Sequence, residues 1–245
     1  MMENKLVYKV ERLISYSAMD SSAKYSMYSA AAAAQNGLTE NFGMLKIDNF
    51  TIREKFNAFW AFTKLKVKFE KRPGWGDCMD SYTFPVNSSG FRTNVNTICK
   101  DKKTGQTMFV ANIECCALDF EKHRPVRLNS INYPQEGFPE SVYPDEFEKF
   151  NVEFSEDDFV FEQTIRSQHI DMSHHMNNCE YVRIATGAFS EEFIRNNDPK
   201  EFEVHWIGET TEGQKIRVYK KEQEGRQYIK ITEGQRTVFE MVITF

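Results

Sequence analysis

The stretch HIDMSHHMNNCEY, residues 169–181, is the most informative part of the chain. It places an acid, two adjacent imidazoles and two carboxamides in a predicted turn. A helix is expected directly afterwards, with Asn177 or Asn178 as N-cap, because an asparagine side chain accepts a hydrogen bond from a free first-turn amide. A helix start also carries partial positive charge and unpaired donors. An Asp/His pair there can activate water beside groups that polarise a carbonyl, although a polar loop that only caps a helix has a similar composition.

The elements predicted around this stretch follow the same order twice. The first half is predicted as a strand, a helix and four extended segments, at residues 6–17, 20–36, 59–71, 77–87, 91–100 and 106–120. Gly37 is expected just after the helix. The second half is predicted as a strand, a helix and four strands, at residues 158–170, 179–197, 202–209, 215–223, 226–232 and 236–245. The repeat concerns element order only, and it predicts an α+β fold with an antiparallel sheet.

Composition excludes several classes of protein. The 245 residues suffice for two small domains or one large one, and the net charge of −5 argues against nucleic-acid binding through bulk charge. No apolar run is long enough for a membrane span, and the start MMENKLVYKVERLISYS lacks the apolar segment of a secretory signal. Five irregularly spaced cysteines argue against a disulfide framework, and no zinc motif occurs. We therefore expect a reduced, cytoplasmic protein without metal or cofactor.

Residues 171–181, DMSHHMNNCEY, resemble a known catalytic signature. The acyl-acyl-carrier-protein thioesterases carry Asp-x-Asn-x-His-Val-Asn-Asn-x-x-Tyr, and the acid, the His, both following Asn and the Tyr match. Ser173 stands where the family has Asn. Four shorter segments, at residues 60–67, 72–77, 103–106 and 118–128, resemble family motifs in the same order.

The resemblance implies a double hotdog fold, in which each unit is a long helix wrapped by an antiparallel sheet. Residues 1–130 would form the first hotdog and shape the acyl-chain pocket. Residues 131–150 would be a linker, and residues 151–245 would form the second hotdog with the catalytic residues. A homodimer is a further expectation.

The resemblance also assigns roles to individual residues. The catalytic candidates are Asp171, Ser173, His175 and Glu209. Glu209 lies 38 residues after Asp171, close to the family's interval for a catalytic Glu, and Glu212 is the nearby rival. Substrate-binding candidates are Asn177, Asn178 and Trp60.

The chemistry implied is hydrolysis of the thioester of acyl-acyl carrier protein to free fatty acid, by activated water. His175 is the expected base, since an imidazole can accept a proton near pH 7. Asp171 would fix its tautomer, and Glu209 would hold or deprotonate the water. The Ser173 hydroxyl would act through a bridging water, or His174 would fill the space of the family's Asn. Ser173 as an acylated nucleophile and a Cys179/His175 pair are weaker alternatives.

Lys64, Lys66 and Lys68 alternate with apolar residues, so a strand would place their ammonium groups on one face. Lys71 and Arg72 follow directly. We interpret these five residues as a docking stripe for an acidic acyl carrier protein, which presents its acyl chain on a phosphopantetheine arm. An ordinary solvated strand face is the alternative.

An acyl chain needs an apolar tunnel. Candidates in the first half are Met19, Tyr25, Met27, Tyr28, Met44 and Phe59, for each of which core packing is the simpler role. Two other functions remain open: hydrolysis of acyl-coenzyme A, and acyl binding without hydrolysis, which the change to Ser173 suggests. Hydration of enoyl thioesters also occurs on hotdog folds, but the local signature does not support it.

Overall fold

The computed structural model describes residues 4–88, 90–143 and 146–245. Within them, ten strands form one antiparallel sheet, with four α-helices on it. The strands are β1 (Tyr8–Leu13), β2 (Ala58–Phe69), β3 (Cys78–Pro85), β4 (Arg92–Asp101), β5 (Thr107–Asp119), β6 (Phe159–Thr164), β7 (Glu201–Trp206), β8 (Lys215–Gln223), β9 (Arg226–Glu233) and β10 (Arg236–Thr244). The helices are α1 (Met27–Met44), α2 (Asn49–Phe56), α3 (Asn178–Thr186) and α4 (Glu191–Asn196).

The strand order shows that the two halves are joined at the centre of the sheet. It runs β1-β3-β4-β5-β2-β7-β10-β9-β8-β6, so each half contributes five neighbouring strands in the same relative order. β2 and β7 pair in the middle, from Lys64 opposite His205 to Lys68 opposite Glu201. This is the double hotdog, and the predicted fold class is confirmed.

α1 is the long helix of the first half, and its position differs from the prediction. It begins at Met27 rather than Asp20, with Ser26 as N-cap, and it continues through Gly37 to Met44. A Cβ at position 37 would lie 2.4 Å from Thr83 Oγ1 of β3. Gly37 therefore allows the helix to approach the sheet closely, and it does not end the helix.

The helical region of the second half is shorter and interrupted. α3 ends at Thr186, and α4 starts again after the Ser190 cap. The prediction also missed α2, whose N-cap Asp48 accepts hydrogen bonds from two first-turn amides. In the described part of the chain, no helix combines the length and the apolar character that a membrane crossing requires.

α1 and α3 meet where the halves join. Arg183 of α3 lies over the ring of Tyr28 at 3.6 Å from its centroid, a cation–π contact. The Cys179 thiol lies 3.5 Å from Gln35 Oε1. The start of α3 is thus packed against the middle of α1.

The first three equivalent elements of the two halves begin at a constant interval of 151 residues. β1 and β6 begin at residues 8 and 159, the following 3-10 turns at 16 and 167, and α1 and α3 at 27 and 178. The loops just before the helices also correspond: a bridge joins Met19 to Tyr25 in the first and Ile170 to Met176 in the second. From the first strand to the start of the helix, the repeat predicted from element order therefore extends to single residues.

The predicted linker includes residues that hold it against the outer face of the sheet. Tyr143 Oη donates to Glu201 Oε2 at 2.6 Å, and the Glu148 amide donates to Glu203 Oε1 at 2.9 Å. Phe150 stacks on His205 at 4.1 Å. Residues 144–145 of the linker, and 1–3 and 89 of the first predicted domain, lie outside the described residues, and the two domain boundaries remain predictions.

Candidate active site

The loop before α3 is closed by its own backbone and by Asp171. The Asp171 amide donates to the His175 carbonyl at 3.0 Å, and Asp171 Oδ1 accepts from the Ser173 amide at 2.8 Å. His174 lies at the turn with a φ of 63°, a left-handed conformation. After this turn, His175 lies three residues before the first residue of α3.

Asn177 links this loop to the helix. It is the N-cap of α3, and its Oδ1 accepts from the Cys179 amide at 2.9 Å. Its Nδ2 donates to Asp171 Oδ2 at 3.1 Å. The Asp171 carboxylate thus contacts Ser173 and Asn177, and the expected bond from Asp171 to the His175 imidazole does not appear among the contacts of these described residues.

The partner of His175 is Glu209. His175 Nε2 lies 3.4 Å from Glu209 Oε2, although the two residues are separated by 33 others. This is longer than an ordinary N–H···O hydrogen bond but within the range of an ion pair. The His175 side chain is 40% exposed and that of Glu209 is 60% exposed, so water can reach both.

The segment that carries Glu209 is fixed by backbone contacts. The amides of Ile207 and Gly208 donate to the Val238 carbonyl at 2.9 and 3.0 Å. The Met176 amide donates to the Thr210 carbonyl at 2.8 Å. Since Met176 follows His175 and Thr210 follows Glu209, this bond joins the two segments one residue from each functional side chain.

The start of α3 offers one amide for a ligand. Asn177 accepts from the first-turn amides of Cys179, through its side chain, and of Glu180, through its carbonyl at 2.9 Å. Among the described residues, the Asn178 amide has no acceptor. The substrate-binding role of Asn178 stays a prediction, for which this backbone N–H is the available donor. Trp206 Nε1 donates to the Asn178 carbonyl at 3.1 Å and so fixes the next peptide of the helix.

The two weaker nucleophile hypotheses have different surroundings. Ser173 is exposed, and its amide closes the loop through Asp171. Cys179 is 3% exposed, and its burial raises the pKa of the thiol to about 12. A buried thiol with so high a pKa is a poor nucleophile at neutral pH.

Trp60 lies in the core rather than at the candidate site. It is 6% exposed, its indole N–H donates to the Ile47 carbonyl at 2.7 Å, and its ring packs on Phe42. Contact with a substrate would require an acyl chain that enters between α1 and β2. Of the tunnel candidates, Tyr25 and Met27 are buried, whereas Met44 is 42% exposed at the end of α1 and does not line an internal tunnel.

The predicted basic docking stripe is wrong for Lys66. This residue is 5% exposed, and its ammonium lies 3.5 Å from Glu201 Oε1 and 3.4 Å from Glu203 Oε2. The alternation of β2 does place the three lysines on one face, but acids of the adjacent β7 and the covering linker neutralise and bury the middle one. Lys64 is half-buried over the Phe147 ring, and Lys68 remains exposed.

The prediction is also wrong for Arg72, while Lys71 is exposed. Arg72 is 7% exposed and forms ion pairs with Asp20 and Asp198, the latter at 3.0 Å. Lys24 also pairs with Asp198. This cluster connects the loop before α1 with the segment before β7, so Arg72 joins the two halves rather than offering charge to a partner.

Sequence reasoning missed Thr210 and used Tyr181 only as one position of the motif. Both are buried directly behind Glu209, at 0% and 2% exposure. Thr210 belongs to no recognised motif, so the sequence alone gives no reason to assign it a role.

Known proteins resemble this chain in two ways: a family model matches part of its second half, and solved structures share its fold. Residues 152–241 match the family model of the acyl-ACP thioesterase C-terminal domain. An acyl-ACP thioesterase from Bacteroides thetaiotaomicron superposes with a TM-score of 0.85 at 16% identity, covering 100% of this chain and 99% of that one. The 12:0-ACP thioesterase from Umbellularia californica gives 0.85 at 15% identity, covering 98% and 96%.

A search of curated proteins gave no match. At these identities the two structural similarities establish the fold. The similarity at the level of family is thus confined to residues 152–241, which match the acyl-ACP thioesterase C-terminal domain.

Proposed function

We propose that the protein hydrolyses the thioester of an acyl chain carried on acyl carrier protein and releases the free fatty acid. The observation that carries this proposal is the contact of His175 Nε2 with Glu209 Oε2 at 3.4 Å, beside the start of α3. A base, a carboxylate and a free helix amide lie together there. Hydrolysis of a thioester by water uses a base and a donor to the carbonyl oxygen, and it makes little demand on an acid because a thiol leaves easily.

His175 is the base in this proposal. An ionised carboxylate only accepts hydrogen bonds, so Glu209 favours the imidazole form with its proton on Nε2 and leaves Nδ1 to accept. The water oxygen attacks the carbonyl carbon while its proton passes to His175. Glu209 stabilises the imidazolium that forms. The carbon–sulfur bond then breaks, and the proton passes from His175 to the departing thiolate.

The Asn178 amide is the proposed donor to the thioester oxygen. It lies at the positive end of α3, where negative charge on the tetrahedral intermediate is stabilised. One well-placed donor contributes about 3–4 kcal/mol to such a transition state. Asn177 and Asp171 support this role by fixing the turn from which His175 and the amide both project.

Acyl carrier protein is proposed as the carrier because of the family's C-terminal domain and the two structurally similar proteins named for that activity. The exposed part of the basic stripe, Lys68 and Lys71, with half-buried Lys64, is the proposed contact for its acidic surface. Lys66 and Arg72 are excluded from this role by their ion pairs.

The test compares matched substrates: the same acyl chains, at several lengths, on acyl carrier protein and on coenzyme A. The proposal predicts fatty acid release with a higher kcat/KM for the carrier protein. Lys68→Glu with Lys71→Glu should lower that value and leave the coenzyme A value unchanged. Lys55→Glu with Lys122→Glu, two exposed sites elsewhere, is the control for net charge. Equal turnover of both carriers would indicate a coenzyme A thioesterase, and bound acyl chain without release would indicate a binding protein.

A further inference from the structure

The two halves of the chain build the same loop, and only one of the loops carries the His/Glu pair. In the first half, the Asp20 amide donates to the Lys24 carbonyl at 2.9 Å, and Asp20 Oδ1 accepts from the Ser22 amide at 2.9 Å. Asp171 makes the equivalent two bonds in the second half. Ala23 has a φ of 57°, close to that of His174. These shared features are therefore requirements of the loop itself.

The same correspondence extends to the segment opposite the loop. The Tyr25 amide donates to the Pro73 carbonyl at 2.8 Å, as the Met176 amide does to Thr210. Pro73 thus corresponds to Thr210, and the residues just before them, Arg72 and Glu209, correspond as well. Residues that differ between the halves at this place are candidates for function, because the loop forms without them.

One such difference lies directly behind Glu209. Tyr181 of α3 is 151 residues after Ala30 of α1, the interval that relates the two helices. Its hydroxyl lies 2.8 Å from Thr210 Oγ1 and 3.3 Å from the Gly208 carbonyl, on either side of Glu209. The first half, with Ala30 and Pro73, has no hydroxyl at either position.

The Tyr181 hydroxyl lies within hydrogen-bond distance of groups on both sides of Glu209. The Gly208 carbonyl can only accept, whereas either hydroxyl of the Tyr181–Thr210 pair can be the donor. The Tyr181 ring stacks on Phe239 of β10 with centroids 5.5 Å apart, which fixes the hydroxyl in place. Both residues on either side of Glu209 are thereby tied to one rigid point on α3.

We infer that Tyr181, together with Thr210, is a positioning pair that sets the separation of Glu209 from His175. The inference rests on the proposed function for its catalytic consequence. The pair belongs to the half with the catalytic candidates and is not needed to build the loop. A displacement on the order of 1 Å in an active site lowers the rate by up to about 10²-fold, so loss of the hydroxyl acts on kcat.

The experiment measures kcat, KM and the pH profile of acyl-carrier-protein hydrolysis for Tyr181→Phe. The control is Tyr133→Phe, since Tyr133 is also 2% exposed and its hydroxyl also pairs with a buried threonine, Thr93. Tyr181→Phe should lower kcat about 10- to 100-fold, leave KM within about twofold, and shift the pH profile. Tyr133→Phe should change none of these. Equal effects of the two variants would overturn the inference.

A second pair of variants covers the case in which Tyr181→Phe does not fold. Thr210→Ser keeps the hydroxyl and should keep most of the activity, whereas Thr210→Val should lose it as Tyr181→Phe does. If the wild-type protein hydrolyses no thioester, the proposed function fails. The positioning is then tested by NMR titration of His175, whose midpoint should move in Thr210→Val and stay in Thr210→Ser; an unmoved midpoint in both overturns the inference.

Discussion

Lys24 and His175 occupy equivalent places in the two halves of the chain. Each follows a residue of positive φ, and the carbonyl of each accepts from the amide of the aspartate four residues earlier. Lys24 pairs with Asp198, while His175 faces Glu209. One copy of the loop thus connects the halves through ion pairs, and the other presents an exposed base and carboxylate.

The Asn177 side chain has two contacts that substitutions can separate. Asn177→Ala removes the cap of α3 and the bond to Asp171, and it should lower the free energy of unfolding by about 0.5–2 kcal/mol. Asn177→Ser keeps a capping oxygen, as Ser26 does for α1, and should lose less. Equilibrium urea unfolding measures both values. Equal losses would show that the cap is not the main contribution.

Lys66 should be far less tolerant of charge reversal than Lys68. Lys66→Glu would bury a third carboxylate beside Glu201 and Glu203, and it should cost about 3–5 kcal/mol or prevent folding. Lys68→Glu, on the same strand but exposed, should change stability by about 0.5 kcal/mol or less. Thermal unfolding compares the two. A Lys66→Glu protein as stable as Lys68→Glu would contradict the buried ion pair.

The Asp198 cluster should make the protein sensitive to acid. Hydrogen bonding from Lys24, and then from Arg72, holds the pKa of Asp198 below its usual range. A depressed carboxyl pKa stabilises the folded state at pH above the unfolded value, and this contribution is lost as the pH falls through the folded value. Wild type should therefore be more stable than Asp198→Asn near neutrality, and the difference should shrink below about pH 4. A difference independent of pH would contradict this assignment.

Glu209→Gln should lower kcat about 10²-fold while changing KM little. The substitution keeps the shape of the side chain but removes the charge that stabilises the imidazolium. Glu212→Gln is the control, because Glu212 is exposed on the following turn and has no place in the mechanism. Steady-state kinetics on an acyl-carrier-protein substrate measures both. If Glu212→Gln lowers kcat and Glu209→Gln does not, the catalytic role belongs to Glu212 and the assignment to Glu209 is wrong.

The sequence predicts the elements and their order well, because strand alternation and turn residues are local signals. The predicted start of α1 is seven residues too early. Residues 20–26 form a loop closed by Asp20, and their sequence pattern does not distinguish this loop from the helix that follows. The motif and its interval name His175 and Glu209, which the fold places 3.4 Å apart, but they do not indicate that the two side chains face each other. The burial of Lys66 and Arg72 depends on acids from β7 and from the segment before it, which no local pattern of β2 reveals.

The central claim is that His175 is the base of a thioester hydrolase, and fatty acid release from acyl carrier protein tests it most directly. The wild-type protein should release the fatty acid, and a folded His175→Ala protein should be slower by about 10² to 10⁴. His174→Ala should stay within a few-fold of wild type, because alanine already occupies the equivalent left-handed position at Ala23. Near-wild-type release by folded His175→Ala, or a larger loss in His174→Ala, would contradict the account.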